Sequence, residues 1–314
     1  MNNLSPDPAP QGTILTGDAL QILNAVGNKS CSLLITSPPY NIGKIYEREK
    51  KRDINSYVDW VSPIFKLAIE KIADDGHLCL QVGAHLRNSE VFPLDYYFYK
   101  MLFDHGMKLR NRIIWRFNFG LNAKKRFSGR YETLLWFSKS ENYKFNLDPV
   151  RIPQIYPGKR HSSKKPGKAG QPSGNPLGKN PSDFWEFSAN EHFNTEPVWD
   201  IPNVKANHPE KTQHPCQFPV ELAERCVLAL TDPGDIILDP FAGVGTSVVA
   251  ALKHDRNGIG IEIDEGYAQV GRERITLLRN GELNLRPIGK PVRLPRATEA
   301  VSTAPIEWKQ LLTE

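Results

Sequence analysis

Long apolar runs are missing from this 314-residue chain. None approaches the about 18 residues of a membrane-crossing helix, and the mean hydropathy is −0.45. A protein built on spanning helices is therefore not expected. Cysteine is scarce: Cys31, Cys79, Cys216 and Cys226 are the only four, and no CxxC pair occurs among them. Neither a disulfide framework nor a zinc knuckle is suggested. The opening MNNLSPDPAPQG lacks the basic-then-apolar layout of a secretory signal. Together these absences fit a reducing, cytoplasmic setting.

What is present suits a folded chain. Apolar residues make up 39% and charged residues 24%, enough for a buried core and too mixed for a wholly disordered chain. The length allows one large domain or a core with a smaller module. A net charge of +5 permits a polyanionic partner without establishing one.

Composition divides the chain near residues 150, 205 and 280. Up to about residue 148, apolar runs alternate with amphipathic ones. TILTGDALQIL opens with a short strand, and CSLLITS is a second apolar run that ends in the turn-forming SPPYN. From Tyr57 to Ala73 the apolar positions Val58, Val61, Phe65, Leu67, Ala68 and Ile72 repeat at roughly helical spacing. Asp74-Asp75-Gly76 predicts a stop, and HLCLQVG a strand after it. NRIIWRF and ETLLWFSK, separated by NFGLNAKKRFSGR, read as a hairpin with a long loop. The section is α/β with an antiparallel edge.

Acidic residues are absent from 151–180, which holds five Pro, five Gly and seven Lys or Arg. Such a stretch predicts a mobile cationic loop rather than a core. Two readings stay open, a solvated linker or a strap along a phosphate backbone. The following DFWEFSANEHFNTEPVWD places Phe184, Trp185, Phe187, Phe193 and Trp199 at irregular spacing, as in a small recognition module or a mini-core.

Residues 214 to about 280 are the clearest. HPCQFPVELAERCVLAL predicts a helix with Pro219 near its first turn. DPGDIILDPF is a turn and a buried strand, AGVGTSVVAALKHD a glycine loop and a helix, and RNGIGIEID another strand. YAQVGRERITLLRN reads as a further helix. From 281 the chain is polar and Pro-rich, a loosely held tail.

LDPFAGVGTS sets Gly243 and Gly245 between a strand and a helix, with Glu262 at the end of the next strand. That plan resembles nucleotide binding, where glycines allow close backbone approach and an acid holds ribose hydroxyls. The third glycine of GxGxxG is absent. Asp239 stands just ahead of the loop, where a diphosphate would be unwelcome and the cationic S-adenosylmethionine would be favoured. Upstream, Ser37-Pro38-Pro39-Tyr40 follows the run LLIT. Two prolines fix two φ angles and remove two amide donors, leaving carbonyl acceptors beside an aromatic ring. Such a set suits a planar base with an exocyclic amine: the ring stacks while Ser37 Oγ and the Pro38 carbonyl accept the amine hydrogens. A duplex base must first be flipped out of its stack.

TSPPYN at 36–41, HPCQFP at 214–219, DPFAGVGT at 239–246 and GIEID at 260–264 together resemble the amino-methylating DNA methyltransferases. The order is catalytic motif first, recognition region in the middle and cofactor loop last, that of the family's β group. The resemblance implies an α/β, Rossmann-like methyltransferase fold: a mixed seven-stranded sheet with helices on both faces and an inserted recognition region. It further implies S-adenosylmethionine as cofactor and double-stranded DNA as substrate. On this plan 1–150 is the catalytic half, 151–205 the recognition insert, 206–280 the cofactor-binding half and 281–314 a tail. Ser37, Pro38, Pro39 and Tyr40 match the catalytic tetrapeptide. Asp239, Phe241, Gly243, Gly245 and Thr246 match the cofactor loop, with Phe241 near the methionine part. Glu262 matches the ribose-binding acid, and Asp18 the carboxylate near the adenine amine. His214, Pro215, Gln217 and Pro219 match the segment leading into the helix that closes the methionine side. Lys159, Arg160, Lys164, Lys165 and Lys168 fall where the family keeps its DNA-recognition region.

Pro215-Cys216 looks like the nucleophile pair of cytosine-C5 methyltransferases. That family places its cofactor loop ahead of the cysteine and uses a Glu-Asn-Val run absent here, so Cys216 is not assigned that role. In the resemblance, Ser before Pro-Pro mostly accompanies cytosine N4, whereas Asp or Asn mostly accompanies adenine N6. N4-cytosine is the expectation, N6-adenine the alternative, and a DNA-binding regulator with a vestigial fold an alternative of another class. A restriction endonuclease sharing the recognition site is the expected partner. No metal is expected, because a sulfonium is already an activated leaving group.

Overall fold

The apolar runs of the sequence become one sheet, and its strand order explains why motifs 200 residues apart can meet. The computed structural model describes residues 9–41, 52–87, 90–117, 123–154, 156–162, 167–186, 201–205 and 208–290. In chain order the elements are β1 (Gly12–Thr16), α1 (Ala19–Leu23), β2 (Cys31–Thr36), α2 (Ile54–Lys71), β3 (Ile72–Val82), β4 (Ala84–Arg87), β5 (Glu90–Pro93) and α3 (Leu94–Asp104). They continue with β6 (Lys108–Arg116), β7 (Tyr131–Ser138), β8 (Phe184–Glu186), α4 (Val220–Leu230), β9 (Ile236–Asp239), α5 (Thr246–Lys253), β10 (Asn257–Glu262) and α6 (Glu265–Arg279).

The main sheet runs β1-β10-β9-β2-β3-β7-β6-β8. Its first five strands are parallel, β7 is antiparallel to both neighbours, and β8 is parallel to β6. The seven-stranded plan with a reversed hairpin is thus present, and the short β8 adds an eighth strand at its edge. Central strands are apolar almost throughout because helices cover both faces. Alternation still sorts them: Leu34, Leu78 and Leu80 face the cluster under α1–α3 with Phe65 and Phe98, whereas Leu33, Ile35 and Cys79 face the one under α4 with Val227 and Trp136.

The chain turns one way from β2 to β3 and the other way from β9 to β10. The crevice between β2 and β9 is therefore a topological switch point, where open α/β sheets place ligands at the strands' carboxyl ends. Leu33 and Leu34 pair with Ile237 and Leu238 there.

Several local expectations shift. The second helix ends at Lys71, and β3 starts at once with Ile72. Asp74-Asp75-Gly76 instead interrupts pairing inside the strand, since the register jumps from Cys31↔Ile72 to Leu33↔His77. Pro219 stands near the first turn of α4 as expected, at the N-cap position just before Val220. Segment 151–205 is tied to the main core: Ile152, Trp185 and Ile201 are buried in the α4-side cluster, and Trp115 Nε1 donates to the Ile201 carbonyl at 2.8 Å. Phe187, Phe193 and Trp199 lie outside the described residues. The start of the expected tail is also held, by buried Arg286 donating to Glu221 at 2.6 Å. No helix among the described residues is long and apolar enough to cross a membrane.

Candidate active site at the carboxyl edge of the sheet

At the end of β9, Asp239 is 1% exposed. Its Oδ1 accepts from the Thr36 hydroxyl at 2.6 Å and the Phe241 amide at 3.0 Å, and its Oδ2 accepts from the Ser247 hydroxyl at 2.5 Å. One carboxylate therefore ties the end of β2, the glycine loop and α5 together. Burial pushes its pKa up to about 6 against those three donors. This corrects the expectation that Asp239 faces a cationic ligand: it braces the loop from beneath.

Two glycines of that loop adopt left-handed backbone, Gly243 at φ 53° and Gly245 at φ 73°. The second caps α5, and a Cβ there would stand 3.0 Å from Ile14 Cδ1. A Cβ on Gly243 would sit 3.4 Å from His214 Nε2. The Gly243 amide donates to Glu262 Oε2 at 2.8 Å and the Asp264 amide to Oε1 at 2.9 Å. Glu262 is thus fixed in rotamer with lone pairs to spare. Burial raises its pKa despite those amides, and Asp239 and Asp264 add to the rise.

The segment after β2 is braced as well. The Tyr57 hydroxyl donates to the Pro39 carbonyl at 2.5 Å, while among the described residues no donor meets the Pro38 carbonyl. Asn41, left-handed at φ 56°, exchanges two hydrogen bonds with the Arg52 backbone, at 2.7 and 2.9 Å. The Ser37 hydroxyl donates to Tyr40 Oη at 3.2 Å, and Tyr40 donates to Glu132 Oε2 at 3.3 Å. The Gln81 amide donates to the same oxygen. Burial raises the Glu132 pKa to about 7, opposed by the bonds from Tyr40 and Gln81.

These pieces enclose a cavity of about 390 Å³, within the ~300–1,000 Å³ usual for small-molecule sites. Ser37, Pro38, Pro39, Tyr40, Asp18, His214, Phe241, Gly243 and Glu262 all line it. Asp239, Gln217, Gly245 and Thr246 do not. Gln217 accepts from Thr212 and donates to the Glu210 carbonyl, at 2.8 and 2.9 Å, and the Thr246 hydroxyl accepts from Arg274 at 3.3 Å. Asp18 Oδ1 also caps α1 through the Leu20 amide at 2.9 Å. Lys159, Arg160 and Lys168 are exposed and line no part of the cavity; Lys164 and Lys165 lie outside the described residues.

Sequence reading missed several lining residues. Trp60 packs against Phe241 with centroids 6.3 Å apart, and the Arg52 guanidinium lies 4.8 Å from the Trp60 ring. Tyr267 meets His214 edge-on at 4.6 Å. Glu132, which lines no part of the cavity but holds Tyr40 from behind, lay in view inside the hairpin strand, where a carboxylate ahead of an apolar run was the signal. Burial and nearby Lys211 lower the His214 pKa to about 4, so this ring is neutral. Two carboxylates, Asp18 and Glu262, then face one guanidinium, Arg52, around the cavity. The balance favours a cationic ligand, and the bare Gly243 backbone leaves room for one to approach closely.

Residues 31–273 match the family model described as DNA methylase, of the N6/N4 amino-methyltransferases. The chain belongs to that family. Type II methyltransferase M.BglII of Bacillus subtilis is 40% identical over 258 residues, covering 82% of this chain and 67% of the relative. DNA adenine methyltransferase YhdJ of Escherichia coli (strain K12) is 31% identical over 268 residues, covering 84% and 82%. Among solved structures, the PvuII DNA methyltransferase (cytosine-N4-specific) superposes with a TM-score of 0.63 at 21% identity, covering 90% of this chain and 95% of the other. This methyltransferase is thus a DNA amino-methyltransferase of the restriction-modification type, and its family uses S-adenosylmethionine. The carboxylates, apolar walls and glycine cradle of the cavity fit that cofactor.

Proposed function

We propose that this methyltransferase modifies the N4 amine of a cytosine flipped out of double-stranded DNA. The observation that carries the reading is the pairing of two acceptors at the cavity, the Ser37 hydroxyl and the Pro38 carbonyl. Because Ser37 spends its own proton on Tyr40, its lone pairs are left for an incoming amine. Because Tyr57 occupies the Pro39 carbonyl, the Pro38 carbonyl is the acceptor that remains. Two acceptors match the two hydrogens of an exocyclic NH2 and orient its nitrogen towards the cofactor side of the cavity.

Glu262 would hold ribose hydroxyls, Asp18 the adenine amine, and Phe241 and His214 the methionine end. Gln217, Gly245, Thr246 and Asp239 support that pocket from behind. When bound, S-adenosylmethionine supplies a methyl group already activated on a sulfonium. Everything else asked of the protein is positioning and exclusion of water, for which the braced rotamers of Ser37 and Glu262 are suited. Lys159, Arg160, Lys164, Lys165 and Lys168 are proposed as phosphate contacts, and a cognate restriction endonuclease as the biological partner.

Serine at the first catalytic position supports cytosine over adenine, as does the cytosine-N4 specificity in the PvuII enzyme's name. Adenine N6 is the second reading, favoured by the adenine enzyme YhdJ among the relatives. Mass spectrometry of nucleosides from unmethylated DNA, incubated with the protein and S-adenosylmethionine, separates them. N4-methylcytosine is the expected product; N6-methyladenine would transfer the same acceptor geometry to the other base.

A further inference from the structure

Methylation of an exocyclic amine leaves the nitrogen with one proton too many, and none of the cofactor-binding groups gives that proton a destination. Among the described residues, one carboxylate lies behind the catalytic segment with an unbroken donor path to it. Glu132 is the second residue of β7, beside the carboxyl end of β3, where Val82 pairs with Thr133. Its Oε2 accepts from Tyr40 Oη at 3.3 Å, and Tyr40 Oη accepts from Ser37 Oγ at 3.2 Å. Both bonds point the same way, from the cavity towards the carboxylate. Gln81 fixes the receiving oxygen, and a Cβ on Gly83 would stand 3.3 Å from Oε1. The bonds are long, as catalytic hydrogen bonds often are before substrate is present.

We propose that Glu132, acting through Tyr40 and Ser37, receives the proton shed by the target amine. This rests on the amine-methylating function proposed for the same cavity. As the N–CH3 bond forms, the C–S bond breaks and its electron pair stays on sulfur. The cationic nitrogen gives one proton to Ser37 Oγ, which passes its own to Tyr40 Oη, which passes its own to Glu132. The carboxylate becomes a carboxylic acid and later returns the proton to water. No other reactant is needed. Glu132 is a positioning residue here, since it reaches the reacting atoms only through two others.

The groups facing Glu132 are Tyr40 from the segment after β2, Gln81 from β3 and, as the cation acting on it at longer range, Lys205. Burial raises this carboxyl group to about 7, and a pKa near the working pH suits a group that must both accept and release a proton.

The test is single-turnover methylation of unmethylated DNA by the full chain, followed across pH for wild type, E132Q, E132D and Tyr40→Phe. The wild-type rate should rise through a limb near pH 7 and then level. E132Q and Tyr40→Phe should lose that limb and run on the order of 10²-fold slower, with cofactor affinity and melting temperature little changed. E132D should keep the limb. An E132Q enzyme with the wild-type pH profile, or one whose loss is entirely in cofactor affinity, overturns the relay alone. A wild type that methylates no exocyclic amine overturns the relay together with the functional reading.

Discussion

The cavity at the switch point and the basic segment of residues 151–186 are built on opposite terms. Around the cavity, contacts between elements brace the walls: Asp239 holds Thr36 and Ser247, Glu262 holds the Gly243 amide, and Glu132 holds Tyr40. In the basic segment the described contacts are mostly local. Bridges join Ile152 to Lys179 and Arg160 to Pro172, and Arg160 donates to the Gly170 carbonyl at 2.5 Å. Among the described residues its ends reach the core, through Ile152 and Trp185. Chemistry on a single bond needs groups fixed to a fraction of an ångström. Neutralising a phosphate backbone needs charge within reach, and tolerates looseness.

The contrast between the two regions should be largest at Ser37. Ser37→Ala removes an acceptor from the reacting centre and should lower single-turnover methylation by about 10²-fold or more, with cofactor affinity held within a factor of two or so. A matching loss of affinity in calorimetry would show that the two halves of the cavity are not separable.

Next in size is a stability effect at Asp239. Its folded pKa, about 6, lies above the ordinary 3.8. The folded state therefore favours the protonated form, and stability falls as pH rises from about 4 to about 6. The shift corresponds to roughly 3 kcal/mol. Asp239→Asn should lack this loss, so urea unfolding at the two ends of that window should show a smaller difference for the variant than for wild type. Equal differences would mean that the carboxylate is better solvated than its burial implies.

Gly243→Ala should be milder. A left-handed φ costs a residue with a Cβ roughly 1–2 kcal/mol, and the new methyl projects towards His214. A roughly tenfold weaker S-adenosylmethionine Kd is expected, read by calorimetry. The smallest effect should come from the other region. Lys159→Ala, Arg160→Ala and Lys168→Ala combined should leave unfolding within about 0.5 kcal/mol of wild type. They should flatten the log–log salt dependence of DNA binding by about 0.9 for each phosphate left without its cation. An unchanged slope would return the segment to a linker.

The sequence was most legible where local pattern sufficed. The strand–glycine loop–helix–strand run from Ile236 to Glu262 formed as spaced, because two left-handed glycines and an apolar run leave few alternatives. The hairpin of β6 and β7 formed across its long loop for a similar reason. Legibility failed where pairing depends on a distant partner. Asp74-Asp75-Gly76 carries a stop signal, yet β2 captured the residues on either side and made it a bulge within β3. Asp239 carries a motif that suggested contact with a ligand, yet three donors turned it inwards.

The sequence by itself determined which residues stand out by type and spacing: the Ser37–Tyr40 tetrapeptide, the glycine loop and Glu262. Tertiary structure alone decided how they are aimed. Thr36 and Asp239 are 203 positions apart, and Tyr40 and Glu132 are 92 apart. No local propensity links such pairs. They meet because β9 and β10, last in the chain, pair between β1 and β2, while reversed β7 brings its first residues back to the carboxyl edge. Burial at that edge then sets the pKa of Glu132, which a carboxylate on the surface would not share.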